Sequence, residues 1–138
     1  MKKEKDPKQA YLERYLILCR EIEVLDELIR ETEAEAVATN SLASGTSSGS
    51  KATDKVGNTA AKLADYLNDL TVKKTLRTEA RIQITRTIYS VEDGTLRVVL
   101  IQRYLRGLKW NQIAEFMGYD DERNIYRLHA KALDEIKI

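Results

Sequence analysis

The sequence holds a single cysteine, Cys19, a single histidine, His129, and a single proline, Pro7. One cysteine cannot close an internal disulfide, and one cysteine with one histidine cannot assemble a zinc site of such ligands within a chain. Cys/His and Ser/His/Asp catalysis lose their usual parts, with His129 left as a formal base alone. No apolar run approaches the roughly eighteen residues of a membrane span. Met1 to Ala10 carry charge with no apolar stretch behind them, so no secretion signal is read either. These absences predict a soluble, intracellular chain with no metal and no cofactor. Six glycines among 138 residues, 33% of them charged, describe a mostly helical chain. With 43% hydrophobic residues, one or two small domains can be buried and a wholly disordered chain is excluded.

Helical punctuation begins at once. Asp6, Pro7 and Gln9 supply a cap, a first-turn proline and a reach-back amide, a capping-box-like start. Tyr15, Leu18, Ile22, Leu25 and Ile29 then recur at spacings of 3, 4, 3 and 4, with Tyr11 one turn earlier. They form one apolar seam on an otherwise charged helix over 1–38, which must be buried against another helix of this chain or of a second subunit. We expect an antiparallel pair within the chain and oligomerisation through the same seam. From 39 to 57 the composition turns to Ser, Gly, Thr, Ala and Asn, which predicts a flexible connector. A second long helix over 58–93 follows from Leu63, Leu67 and Leu70, then Leu76, Ala80, Ile84, Ile88 and Val91, interrupted near Lys73 and Lys74. Asp93-Gly94 should end it, with Thr95 capping the next. Residues 94–138 then show three shorter helical patterns, at about Leu96 to Arg106, Trp110 to Met117 and Asp121 to Ile136. The fold class expected is all-α, a coiled-coil-like helical hairpin followed by a three-helix domain.

Charge is uneven beneath the net +1. Residues 1–40 hold seven basic and ten acidic side chains, whereas 71–106 hold eight basic and three acidic. A polyanion would be drawn to the second stretch.

The run from Trp110 to Tyr119 carries the functional signal. Ile113, Ala114, Met117 and Gly118 have the pattern of a helix-turn-helix: the alanine is small where a second helix crosses, and the glycine permits the turn. Ile125 and Leu128 lie seven and ten residues past the glycine, which implies a turn one residue longer than usual. On a helical wheel Leu128, Ala132 and Ile136 join Ile125 on one face, with His129 beside them as a packing histidine. Arg123, Asn124, Arg127 and Lys131 fall opposite, where a DNA major groove could receive them. Arginine and asparagine can bond guanine and adenine bidentately, and lysine holds phosphate or guanine. Arg97, Arg103, Arg106 and Lys109 are further candidates for phosphate contact, and Lys73, Lys74, Arg77, Arg81 and Arg86 are expected to be chiefly the wet side of a long helix. Asp120 or Asp121 is read as the cap of the last helix, Trp110 as core, and Cys19 as a small helical hydrophobe.

The string Leu-Arg-Val-Val-Leu-Ile-Gln-Arg-Tyr-Leu-Arg-Gly-Leu-Lys-Trp-Asn-Gln-Ile-Ala-Glu from Leu96, with Gly118-Tyr119 and Tyr126-Arg-Leu-His-Ala-Lys-Ala-Leu, resembles the helix-turn-helix of sigma-factor region 4. More closely, it resembles the small phage transcriptional regulators of Gram-positive bacteria of the ArpU and RinA type. That resemblance covers nearly the whole chain, and its specific part is 96–133. It implies a DNA-binding activator of late phage genes, working in the cytoplasm of a bacterial host and contacting host RNA polymerase. Two departures stand out. Lys109 occupies a position where a serine or threonine cap is frequent, and an extra residue lies among Asp120 to Asn124. Arg127, Leu128 and His129 match directly.

The sequence therefore predicts a sequence-specific regulator binding double-stranded DNA as a homo-oligomer, a dimer above all, and no enzyme. Two other readings share the same residues: a packaging protein like the phage small terminase subunit, and a protein-only adaptor whose last helix docks on RNA polymerase or its sigma factor.

Overall fold

The computed structural model describes residues 5–43 and 49–138, with side chains placed for 5–38 and 57–138. Among the described residues the chain is all-helical, with five helices: α1 (Pro7–Ala43), α2 (Gly49–Tyr89), α3 (Gly94–Tyr104), α4 (Trp110–Met117) and α5 (Glu122–Glu135). Asp6 caps α1 as expected, its carboxylate accepting the Lys8 N–H at 2.8 Å. The Gln9 side chain lies within hydrogen-bonding reach of Tyr104.

The long helices reach further into the segment 39–57 than its composition predicts, to Ala43 from one side and from Gly49 on the other. Leu42 and Ala43, then Lys51, Ala52, Lys55, Ala60 and Ala61, are good helix formers that outweigh the scattered Ser and Thr. The middle of the expected connector, 44–48, lies outside the described residues.

The chain divides into two compact units, Met1–Leu18 with Arg77–Ile138, and Cys19–Leu76. This boundary differs from a cut between 93 and 94. In the first unit α3, α4 and α5 pack on one another. α3 and α5 also share one buried cluster with Leu12 of α1 and Ala80, Ile84 and Ile88 of α2; Val91, Leu96, Leu100, Tyr104, Ala132, Leu133 and Ile136 complete it. Polar links tie the same elements. Lys8 Nζ donates to the Leu133 carbonyl at 2.9 Å, where a cation also suits the negative end of α5. Arg14 donates to Gln83 at 2.9 Å, and Thr87 lies within reach of the Tyr11 hydroxyl, which sets α1 and α2 antiparallel there.

The second unit contains the far part of the α1 seam. Ile22, Leu25 and Ile29 are buried at 4%, 8% and 8% exposure within this single chain, while Tyr15 and Leu18, in the first unit, pack on its core. A contact between chains must therefore use other side chains or open this packing. Lys73 Nζ meets Glu21 at 2.7 Å, which accounts for the break in the α2 stripe. Leu67 and Leu76 are exposed at 45% and 42%, contrary to their expected place in that stripe. Tyr66 and Arg77, each one residue away, are half-buried.

The corner after α2 also departs from expectation. Gly94 is the first residue of α3 and not a helix-ending glycine, and Asp93 is the cap, accepting from the N–H groups of Thr95 and Leu96. Arg97 closes this corner by donating to the carbonyls of Val91 at 2.8 Å and Glu92 at 3.0 Å.

A side chain from α1 at the centre of the cluster should matter to the C-terminal helices. Leu12→Ala is expected to lower the stability of the first unit by about 2 to 5 kcal/mol, read by urea unfolding of the whole chain. A loss below about 1 kcal/mol would show that α1 merely lies on the surface of the other helices.

Candidate nucleic-acid interface

The site is built on the crossing of α4 and α5. Val99, Ile113, Ala114 and Ile125 form a second buried cluster, walled by Leu108, Trp110, Met117 and Leu128. Ala114 is 4% exposed at this crossing, where a larger side chain would have to displace α5. Gly118 ends α4 with φ 80° and ψ 23°, the left-handed conformation. Tyr119 N–H then bonds the Ala114 carbonyl at 2.9 Å and Gly118 N–H the Glu115 carbonyl at 3.1 Å, the paired bonds of a Schellman ending. A Cβ on Gly118 would meet nothing within 4 Å, so its requirement there is backbone conformation alone. Gly107, with φ 71°, makes the preceding turn, and a Cβ there would touch Leu16 of α1 at 3.5 Å.

Lys109 provides no side-chain acceptor as the N-cap of α4, but its own N–H is taken by Gln112 Oε1 at 2.9 Å. Half of a capping box thus replaces the missing serine or threonine. Asp121 caps α5. One carboxylate oxygen accepts the Arg123 N–H at 2.9 Å and the other meets Arg123 Nε at 2.7 Å, and these bonds hold its carboxyl below the usual carboxylate range.

Of the expected surface residues, Arg123, Arg127 and Lys131 are exposed on α5, and Asn124 is half-buried. Arg127 and Lys131 have no side-chain partner among the described residues. Arg106 and Lys109 are exposed beyond the end of α3 and at the start of α4. Behind the basic face, Ile125, His129, Ala132 and Leu133 are buried, whereas Leu128 is only half-buried between the two clusters. Two expected phosphate ligands have structural work instead. Arg97 binds the corner carbonyls, and Arg103 donates to the Leu108 carbonyl at 3.1 Å with its guanidinium 4.2 Å from the centre of the Trp110 ring.

Sequence reasoning missed the aromatic cluster behind the face. Trp110 meets Tyr126 and His129 edge-on at 5.3 and 4.7 Å, and the Tyr104 hydroxyl shares a hydrogen bond with His129 Nε2. The four residues come from three helices, and no spacing along the chain announces them. Burial, with the Arg103 charge second, lowers the His129 pKa from 6.5 to about 4. Phe116, Tyr119 and Tyr126 are exposed at 62%, 37% and 45%. Among the described residues no group of His, Cys, Asp and Glu is placed to hold a metal, and no helix is long and apolar enough to cross a membrane. No family model, curated protein or solved structure matches the chain.

Two predictions follow from this geometry. Gly118→Ala should destabilise the first unit by about 1 to 2 kcal/mol, the typical strain of a left-handed alanine, and an unchanged denaturation midpoint would contradict the turn. For His129 the folded pKa lies below the unfolded one, so protons bind the unfolded chain more readily between pH 6.5 and 4. Stability is then complete above about pH 6.5 and falls by on the order of 2 to 3 kcal/mol as pH drops through that window. His129→Leu should flatten this acid limb while lowering stability at neutral pH, because the Tyr104 hydroxyl loses its partner. Denaturation series at pH 7 and pH 4.5 measure both effects.

Proposed function

We propose that the chain is a sequence-specific regulator of transcription that binds double-stranded DNA, with α4, the turn at Gly118 and α5 as its helix-turn-helix. In this reading α1 and α2 form a coiled-coil-like hairpin carrying the three-helix domain. The observation that carries it is the division of α5 into a buried face, Ile125, His129 and Ala132, and an exposed face bearing Arg123, Arg127 and Lys131. A helix held from behind by a small-residue crossing, with cations on its free side, suits insertion into a major groove. The sequence resemblance to regulators of the ArpU and RinA type extends the reading to a phage activator of late genes in the bacterial cytoplasm, in contact with host RNA polymerase.

Residues 107–138 alone are not basic, holding five basic and six acidic side chains, with Asp120, Asp121, Glu122, Asp134 and Glu135 among the latter. A single copy should bind weakly, so the reading includes a homodimer on two half-sites. A terminase-like packaging protein would instead assemble as a ring, which a mass measurement distinguishes. A protein-only adaptor draws specific support from Phe116 and Tyr126, large aromatic side chains left exposed on α4 and α5.

Selection of bound fragments from the genome carrying this gene tests the three together, since an enriched promoter, a packaging site or nothing gives three different answers. On a selected site, Arg127→Ala should weaken binding by about 1 to 3 kcal/mol and affect a scrambled duplex less. Arg81→Ala, on α2, should at most reduce the salt dependence. Equal loss on both duplexes for Arg127→Ala would make it a backbone contact, and no loss on either would move the functional surface off α5.

A further inference from the structure

Arg123 and Arg127 sit one helical turn apart on the same exposed face, yet they are held differently. Arg127 has no side-chain partner among the described residues. Arg123 is tied to Asp121 through both its backbone and its side chain: Asp121 takes its backbone N–H with one oxygen at 2.9 Å and its Nε with the other at 2.7 Å. A guanidinium offers five N–H donors in a planar fork, and a bond at Nε leaves the four on the two terminal nitrogens free. The Arg123 side chain is 84% exposed, so this pair covers no core and adds little to stability as a surface ion pair. Its physical effect is to hold a flexible cation in one orientation before a partner arrives, which reduces the ordering required on binding.

We infer that Asp121 is a positioning residue that presents the terminal guanidinium nitrogens of Arg123 to a guanine edge, making Arg123 a reader of one base rather than a phosphate ligand. This rests on the DNA-binding reading of α5. Two features favour guanine. Its O6 and N7 are a neutral, coplanar pair of acceptors matched to the fork. A phosphate brought to the same nitrogens would lie close to the Asp121 carboxylate and be repelled by it. Arg127, with no carboxylate beside it, carries no such bias.

The test is selection from a randomised double-stranded DNA pool by the full chain, followed by sequencing, with wild type, Asp121→Asn, Asp121→Ser and Arg123→Ala side by side. Asparagine and serine both cap helices well, so α5 should remain intact, checked by circular dichroism. Neither can hold Nε as a carboxylate does. Wild type should enrich a site with an invariant guanine. Asp121→Asn, Asp121→Ser and Arg123→Ala should each relax that position by about tenfold, with other positions kept. Binding of the two Asp121 variants to a scrambled duplex should hold steady or strengthen, whereas a merely structural role for Asp121 would weaken it. Retention of the guanine by both Asp121 variants, or no relaxed position in Arg123→Ala, overturns the inference while leaving DNA binding intact. A wild-type chain that enriches no sequence overturns the DNA-binding reading and this inference with it.

Discussion

A three-helix unit of the size of residues 94–138 has too much surface for its interior, and helices as short as α3 and α4 are unstable unless their apolar faces are covered. The cover comes from outside that stretch. Leu12 from α1 and Ala80, Ile84 and Ile88 from α2 fill the space between Leu100, Tyr104, Ala132 and Ile136. The placement of α3 and α5, on which α4 packs in turn, rests on this shared cluster. That placement determines which side of α5 is free. The ends of the long helices are therefore part of the unit that presents the basic face.

The same packing decides how much of the basic stretch 71–106 is available to a polyanion. Lys73 is engaged by Glu21, Arg97 by the carbonyls of Val91 and Glu92, and Arg103 by the Leu108 carbonyl and the Trp110 ring. Counting charges along the sequence thus overstates the free positive surface. Behind α5, the Tyr104, Trp110 and His129 side chains keep a titratable group neutral in an apolar setting, and Arg103 reinforces that neutrality from the side.

Local signals were legible in the sequence because they act over a few residues. Asp6 caps as read, Asp121 is the one of the two candidate aspartates that caps α5, α4 runs from Trp110 to Met117, Gly118 adopts the left-handed turn, and Arg123, Arg127 and Lys131 are exposed while Ile125 is buried. What was not legible depends on residues far apart. The grouping of Leu12 with the C-terminal helices, the exposure of Leu67 and Leu76, and the engagement of Arg97 and Arg103 follow from tertiary neighbours. Composition misplaced the start of α2, because serine and threonine suggest a break while alanine and lysine among them sustain a helix. Gly94 misled for a related reason: Asp-Gly is a helix ending by frequency, but here the aspartate begins the next helix.

The bond from Lys8 to the Leu133 carbonyl joins positions 125 residues apart. During synthesis the first turns of α1 emerge long before α5 exists, and Leu12 has no complete surroundings until Ala132, Leu133 and Ile136 have followed. The core of the first unit closes only when residues around Leu12 meet those around Ala132 and Ile136, so its folding depends on long-range packing in spite of its helical content.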